Sequence, residues 1–188
     1  MDFIAEFTSL NEDGLIEGIR QWTIQTDGSL AQKKGGVGVV IITPDGETLK
    51  YGVRLKFLAT NNEVEYEGIL TGLRFGKALG ATNLLIQSDS KLVVGQIKGD
   101  YKAKEERMQK YVRLTRHLTQ EFDKVEFEQI PRSQNMTADE VSKLASSDEG
   151  GISTDLEMEM QKHPSIEEMP MFAVEKASSW MTSIMAFI

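Results

Sequence analysis

Cysteine is absent from the 188 residues, histidine occurs only twice, and no unbroken apolar run approaches the length of a membrane span. Without thiols there is no disulfide, cysteine nucleophile or cysteine zinc site, and two isolated histidines cannot build a zinc site alone. The amino terminus, MDFIAEF, has acidic residues where a signal or transit peptide carries basic ones. We therefore expect an intracellular protein, cytoplasmic or nuclear, that is not secreted, has no membrane partner and holds any metal through oxygen ligands.

Charge is unevenly distributed along a chain whose composition, 40% hydrophobic and 27% charged, is that of a soluble globular protein. Residues 1–20 hold one basic and five acidic groups, residues 148–188 hold two and eight, and residues 21–147 hold 18 and 16. The middle of the chain is therefore slightly basic although the net charge is −8. Its most basic stretch, Lys91–Arg116, suits either a phosphate backbone or a solvated helix face with salt bridges.

Strand-like and helix-like patterns alternate between Trp22 and Ser147 and predict the order β-β-β-α-β-α-α-β-α. Turns are predicted at Asp27-Gly28-Ser29 and at Pro44-Asp45-Gly46, and a helix before the fourth strand predicts a parallel portion. The predicted strands cover 22–26, 36–43, 47–57, 83–87 and 124–130, and the predicted helices end near 80, 97, 118 and 145. We expect an α/β fold with a mixed five-stranded sheet, three antiparallel strands plus parallel strands, and helices on both faces.

Four regions follow from these patterns. Residues 1–20 are an acidic N-terminal extension, and residues 21–147 are the folded domain. Residues 148–171 are acidic and turn-rich without a sustained period, which predicts a flexible linker. Residues 172–188 are apolar again, either as a helix that binds a partner or a membrane surface or as the start of a longer segment.

Four acidic residues stand where this topology brings them together. Asp27 ends the first strand, Glu65 lies on the first helix, Asp89 follows the fourth strand and Asp139 opens the last helix. Crowded carboxylates repel one another unless a cation lies among them, and oxygen ligands favour Mg²⁺ or Mn²⁺. Two such ions can support an in-line displacement at phosphorus. Each aspartate alone also has a structural explanation, Asp27 as a turn former and Asp89 and Asp139 as helix-start residues.

Four motifs resemble the ribonuclease H family in their order and spacing. They are TDGS at 26–29, ATNNEVEYEGILTGL at 59–73, SDSKLVV at 88–94 and IPRSQNMTADEVSKLA at 130–145. The wording of the last three is similar to the ribonuclease H domain of plant gypsy-type retrotransposon polyproteins. The flanks agree, because DFIAEFT resembles the tether that follows the reverse transcriptase and SSWMTSIMAFI resembles the connector that precedes the integrase. The resemblance covers about residues 22–147.

The resemblance implies a ribonuclease H-like sheet and hydrolysis of the RNA strand of RNA:DNA hybrids, leaving 3′-hydroxyl and 5′-phosphate ends. It implies that Asp27 bridges two Mg²⁺ ions, with Mn²⁺ as the alternative. Glu65 and Asp89 complete the ligands of one ion, and Asp139 binds the other beside the attacking water. Reverse transcriptase and integrase segments of the same polyprotein are the implied partners besides the hybrid.

The resemblance also implies a set of substrate-binding residues. Gly28 and Ser29 lie against the RNA strand, Thr60 holds a phosphate of the DNA strand, and Asn61 and Asn62 probe the minor groove. Bacterial members carry a histidine before the last aspartate, and this chain has IPRSQN instead. Arg132 is therefore the substitute candidate.

Two rival functions remain open from the sequence. One is a catalytically inactive copy that serves as a hybrid-binding or structural module of a reverse transcriptase assembly. The survival of all four acids disfavours it, because crowded like charges serve no purpose but metal chemistry. The other is a host-adopted interaction protein that uses the apolar residues 172–188.

Overall fold

The computed structural model describes residues 20–147 and 157–167. Within these residues, one six-stranded sheet has the order β5-β4-β1-β2-β3-β6. The elements are β1 (Trp22–Ala31), β2 (Lys34–Ile42), β3 (Thr48–Leu55), α1 (Asn61–Ala78), β4 (Asn83–Ser88), α2 (Lys91–Lys98), α3 (Glu106–Thr119), β5 (Lys124–Gln129), α4 (Met136–Ser146) and β6 (Glu157–Gln161). The predicted N-terminal extension up to residue 19 and the predicted apolar segment 172–188 lie outside the described residues.

The sheet is mixed, as the sequence predicts. Strands β1, β2 and β3 form an antiparallel meander, and β4 runs parallel to β1 with β5 parallel to β4. Helices lie on both faces, with α1 and α4 packed against β1 and β2 from opposite sides. The α/β class and the mixed topology are therefore confirmed.

The first hairpin turn is not where the sequence predicts it. Strand β1 runs on through Asp27 and Gly28 to Ala31, and the chain turns at Gln32 and Lys33, whose φ angles are 51° and 69°. Positive φ at both central residues is the geometry that matches the twist of a two-residue hairpin. Gly28 serves a different purpose, since a Cβ there would lie 2.7 Å from Val64 Cγ1 on α1. The Asp-Gly pair marks a close helix approach rather than a turn.

Alternation along β2 decides which helix packs on which face. Val37 is fully buried in the core on the α1 side, whereas Gly36 and Gly38 face α4. A Cβ at Gly38 would lie 2.2 Å from the Ala138 carbonyl oxygen, so only glycine lets α4 come this close. This close packing sets α4 directly over the middle of the sheet, beside Asp27.

The expectation of five strands is wrong, because β6 pairs in parallel with β3 from Tyr51↔Glu157 to Leu55↔Gln161. Part of the predicted flexible linker, 148–171, therefore forms an edge strand. Its sequence, EMEMQ, has weak strand propensity, and the strand depends on pairing with β3 and on Met158 packing over Gly52. No helix among the described residues combines the length and apolar character needed to cross a membrane.

Candidate active site

The parallel pairing of β1 and β4 places two aspartates side by side. Thr26 pairs with Ser88, the last residue of β4, so Asp27 on β1 and Asp89 just after β4 are the next residues along the chain. Strand β1 continues with β2 alone beyond this point, and β4 turns into α2. The pair thus lies at the edge where β4 leaves the sheet, which is where sites form in open α/β sheets.

Helix α1 brings Glu65 to the same place. The helix begins after Thr60, whose hydroxyl accepts from Glu63 N while Glu63 Oε1 accepts from Thr60 N, and this capping box fixes its first turn. The first two turns cross β1 at Gly28, where a Cβ would lie 2.9 Å from Glu65 N. Glu65 therefore lies next to the point where the pairing of β1 with β4 ends.

Asp27, Glu65 and Asp89 form a three-carboxylate cluster. One oxygen from each lies within 4.8 Å of the others. Burial, followed by the charge of Asp89, raises the pKa of Asp27 to about 7 from its ordinary 3.8. Burial, followed by the charges of Asp27 and Asp89, raises the pKa of Glu65 to about 9. The cluster is therefore short of positive charge.

The residues of this cluster fit a hard divalent cation. Glu65 Oε1 is buried and accepts no hydrogen bond from the described residues, and a buried acceptor without a donor is costly. The Gly28 N–H and the charge of Arg132 lower the pKa of Glu65, but burial and the charges of Asp27 and Asp89 raise it by more. Carboxylate oxygens without nitrogen or sulfur ligands suit Mg²⁺ or Mn²⁺.

Asp139 lies beside the cluster without belonging to it. It adjoins Asp27, since a side-chain hydrogen bond between the two carboxyl groups and the charge of Asp139 both help to raise the pKa of Asp27. Its own Oδ2 forms an ion pair with Lys143 Nζ, 3.0 Å away and one turn along α4. The structure therefore brings three of the four predicted acids into mutual reach and the fourth alongside.

Two residues that the sequence reasoning overlooked hold the aspartates in place. The Ser142 hydroxyl, fully buried on α4, lies 2.9 Å from Asp27 Oδ2 and 2.6 Å from Ser29 Oγ. Asn135 donates from Nδ2 to the Thr26 carbonyl at 3.0 Å and to Asp89 Oδ2 at 3.4 Å. The sequence pattern could have indicated Ser142, because it lies one helical turn after Asp139 and so faces the same side of α4.

The predicted substrate-binding residues lie on β1, at the start of α1 and in the turn before α4. Thr60 and Asn61 are exposed at the start of α1, with Asn62 half-buried beside them. Ser29 points toward Ser142 and α4, so its side chain is engaged inside the domain. Arg132 is exposed in a short 3₁₀ turn before α4, close enough for its charge to lower the pKa of Glu65.

Known proteins with similar sequences and structures identify the family of this chain. Residues 25–145 match the family model described as reverse transcriptase-like. The N-terminal ribonuclease H domain of Rv2228c from Mycobacterium tuberculosis is 32% identical, with 68% of this chain and 94% of that chain covered and a TM-score of 0.60. The chain belongs to the ribonuclease H family.

Further members of the ribonuclease H family share the fold. Ribonuclease H1 of the archaeon Halobacterium salinarum is 25% identical, with 66% of this chain and 96% of that chain covered and a TM-score of 0.64. LC11-RNase H1, solved in complex with an RNA/DNA hybrid, is 30% identical, with the same coverage and a TM-score of 0.62. The match spans about a third, 34%, of the full bifunctional mycobacterial protein.

Proposed function

We propose that the protein is an endonuclease that hydrolyses the RNA strand of RNA:DNA hybrids and leaves 3′-hydroxyl and 5′-phosphate ends. The observation that carries the proposal is the three-carboxylate cluster, whose like charges stand together with an unsatisfied buried oxygen among them. Membership of the ribonuclease H family and the hybrid bound by LC11-RNase H1 support the choice of substrate.

Asp27, Glu65 and Asp89 would hold the metal, with Asp139 as a further ligand once its contact with Lys143 is released. Two Mg²⁺ ions, or Mn²⁺ as the alternative, would supply Lewis-acid activation of water and charge neutralisation at the leaving oxygen. Ser142 contacts Asp27 and Asn135 donates to Asp89, so that both carboxylates keep one orientation. Such preorganisation avoids rearrangement during the reaction.

The hybrid would lie across the exposed start of α1 and the turn before α4. The Thr60 oxygen accepts from Glu63 N, which leaves its O–H free to donate to a phosphate of the DNA strand. Asn61 and Asn62 would reach the wide minor groove, where 2′-hydroxyls on one strand distinguish a hybrid. Arg132 would contribute a positive charge near the scissile phosphate.

A cleavage assay tests the proposal directly. A hybrid labelled on each strand in turn is incubated with Mg²⁺, with and without chelator, beside Asp27→Asn and the exposed-acid control Glu126→Gln. We expect cutting of the RNA strand by wild type and Glu126→Gln alone, with new 3′-hydroxyl ends. Equal cutting by Asp27→Asn, or cutting in chelator, would contradict the metal site.

A catalytically inactive, hybrid-binding or structural module is the alternative, and the Asp139–Lys143 ion pair is the observation that favours it. Lys143→Ala separates the two functions. If Lys143 only pairs with Asp139 until a metal ion binds, Lys143→Ala keeps or raises cleavage. Hybrid binding without cleavage, in wild type and in Lys143→Ala alike, would establish the alternative.

The wording of the motifs supports a second part of the proposal, an origin in a plant gypsy-type retrotransposon polyprotein with reverse transcriptase and integrase segments as partners. The family model described as reverse transcriptase-like agrees with such a context. Sequencing the transcript tests it. Reverse transcriptase coding sequence upstream and integrase coding sequence downstream are expected, and unrelated flanking sequence would contradict it.

A further inference from the structure

Glu67 is a fully buried carboxylate that the proposed chemistry does not use. It lies on α1 two residues after Glu65, with a relative exposure of 0%. Four hydrogen bonds from the described residues reach it: Tyr111 OH at 2.7 Å and Ser165 N at 2.8 Å on Oε2, with Ser165 Oγ at 2.6 Å and Gln161 Nε2 at 3.0 Å on Oε1. A buried carboxylate needs such donors, because desolvation otherwise makes it unfavourable.

Three of these four hydrogen bonds come from the docking segment, residues 157–167, which comprises β6 and the 3₁₀ turn Ser165–Glu167. The rest of the domain contributes further contacts to the same segment. Lys56 N donates to the Gln161 carbonyl at 2.8 Å, and Arg74 donates to Ser165 Oγ at 3.0 Å. The segment is therefore recognised by main chain along β3 and by side chains at Glu67.

The docking segment lies outside the part of the chain that defines the family. The family match ends at residue 145, and the solved ribonuclease H relatives are covered to 94–96% by about two thirds of this chain. Catalysis by the fold therefore gives no reason for Glu67 to meet Gln161 and Ser165. Their mutual satisfaction requires another explanation.

We propose that the edge of β3, together with Glu67, Arg74 and Tyr111, is a peptide-binding site whose ligand is the docking segment of the same chain. The segment binds by adding a parallel strand to the sheet, which supplies affinity, while Glu67 reads the amide of Gln161 and the N–H and hydroxyl of Ser165, which supplies specificity.

Geometry favours binding within one chain. The Ser147 carbonyl accepts from Arg54, and Arg54 pairs with Met160 on β6, so the end of α4 lies close to the segment. Nine residues, 148–156, join Ser147 to Glu157. Nine residues can span up to about 30 Å. The distance to be covered runs along β3 from Arg54, which contacts Ser147, to Tyr51, which pairs with Glu157. At about 3.3 Å per residue this distance is about 10 Å, so the connection is long enough. A short connection also gives a high effective concentration.

The test uses the full chain with a specific protease site placed within residues 149–154. After cleavage, size-exclusion chromatography and mass spectrometry at micromolar concentration show whether the fragment that begins near Glu157 stays with the domain. We expect it to co-elute and to be displaced by a synthetic peptide of residues 157–167. Release of the fragment from wild type on cleavage would overturn the proposal.

Matched peptides decide whether Glu67 is the recognition group, and they leave the domain unaltered. Peptides with Ser165→Ala or Gln161→Ala remove donors to Glu67, whereas Met160→Ala changes a side chain that is 57% exposed. We expect the first two to compete about 10- to 100-fold more weakly and the third to compete like wild type, since hydrogen bonds to charged groups are the stronger ones. Equal competition by all peptides would overturn the role of Glu67.

Glu67→Gln in the cleavable chain gives the complementary measurement. It should release the fragment, and its effect should not add to that of Ser165→Ala, because the two changes remove the same contacts. Additive effects would overturn the assignment. Elution of the uncut chain as a dimer, with fragments exchanging between copies, would show that a second copy supplies the segment and would overturn binding within one chain.

Discussion

Glu65 and Glu67 lie two residues apart on α1 and have the same side chain, but their surroundings differ. Glu67 receives four hydrogen bonds from described residues, and each of its oxygens has two donors. Glu65 has a buried oxygen without a donor among the described residues, and burial, followed by the charges of Asp27 and Asp89, raises its pKa to about 9. The satisfied carboxylate is a structural group, and the unsatisfied one is suited to bind a cation.

The difference teaches that burial alone does not identify a functional acid. Glu67 is the more buried of the two, yet its donors account for it completely. What singles out Glu65 is an environment that is unfavourable until positive charge arrives.

The largest difference concerns catalysis. Glu65→Gln should lower the rate of hybrid cleavage by about 10³-fold or more, because it removes a ligand that acts with the rest of the cluster as a unit. Glu67→Gln should retain most of the activity, because its carboxylate faces α3 and the docking segment. Single-turnover rates with Mg²⁺ check both, and a loss of the same size in the two variants would break the comparison.

Stability should reverse the order of the two residues. Glu67→Ala should lower the free energy of unfolding by about 2–3 kcal/mol, because Tyr111 and the donors of the docking segment lose a charged acceptor. Glu65→Gln should raise it by about 1 kcal/mol in chelator, because a repelled carboxylate disappears. Urea denaturation of both variants measures this, and destabilisation by Glu65→Gln in the absence of metal would count against the charge-crowded cluster.

The pH dependence should carry the same signature. The pKa values of about 7 for Asp27 and about 9 for Glu65 lie above the ordinary 3.8 and 4.5, so the folded protein retains protons that the unfolded chain releases. Stability in chelator should therefore fall as pH rises between about 4.5 and about 9, by up to about 1.4 kcal/mol per pH unit for each such proton.

Thermal melts across this range check the slope, with Asp27→Asn as the comparison. The variant should show a shallower fall than wild type, and Mg²⁺ should remove much of the fall in wild type alone. An identical slope in wild type and Asp27→Asn would show that other groups control the pH dependence.

The smallest effect separates two buried serines on α4. Ser142 and Ser146 both lie within hydrogen-bond distance of the carbonyl three residues earlier, but only the Ser142 hydroxyl also lies 2.9 Å from Asp27 Oδ2. Ser142→Ala should reduce cleavage about 10-fold, or about 1.4 kcal/mol, because it removes the hydroxyl that contacts Asp27 Oδ2. Ser146→Ala should keep the activity of wild type, and equal kinetics in the two variants would remove Ser142 from the site.

The residues that the sequence predicted well are those whose pattern is local. Periodicity along α1 and the apolar run of β2 follow from the alternation of buried and exposed positions, so these elements were predicted within a few residues. Asp27 and Asp89 were predicted to meet because the parallel crossover decides which strand ends are neighbours. Their role as metal ligands stays a prediction.

The residues that escaped prediction depend on distant contacts. Asp27-Gly28 has the pattern of a turn, and only the approach of Val64 shows why glycine is needed within a strand. Strand β6 exists because β3 has a free edge and Glu67 an unmet need for donors, and neither is visible in residues 157–161. Asp139, which was predicted, adjoins Asp27 and pairs with Lys143, and its role as a metal ligand stays a prediction.

The most direct measurement is anomalous diffraction from a crystal grown with Mn²⁺. We expect an anomalous peak among the carboxylates of Asp27, Glu65 and Asp89, no such peak beside Glu67, and loss of the peak in Glu65→Gln. A fully occupied Mn²⁺ elsewhere, with the three carboxylates left without metal, would contradict it.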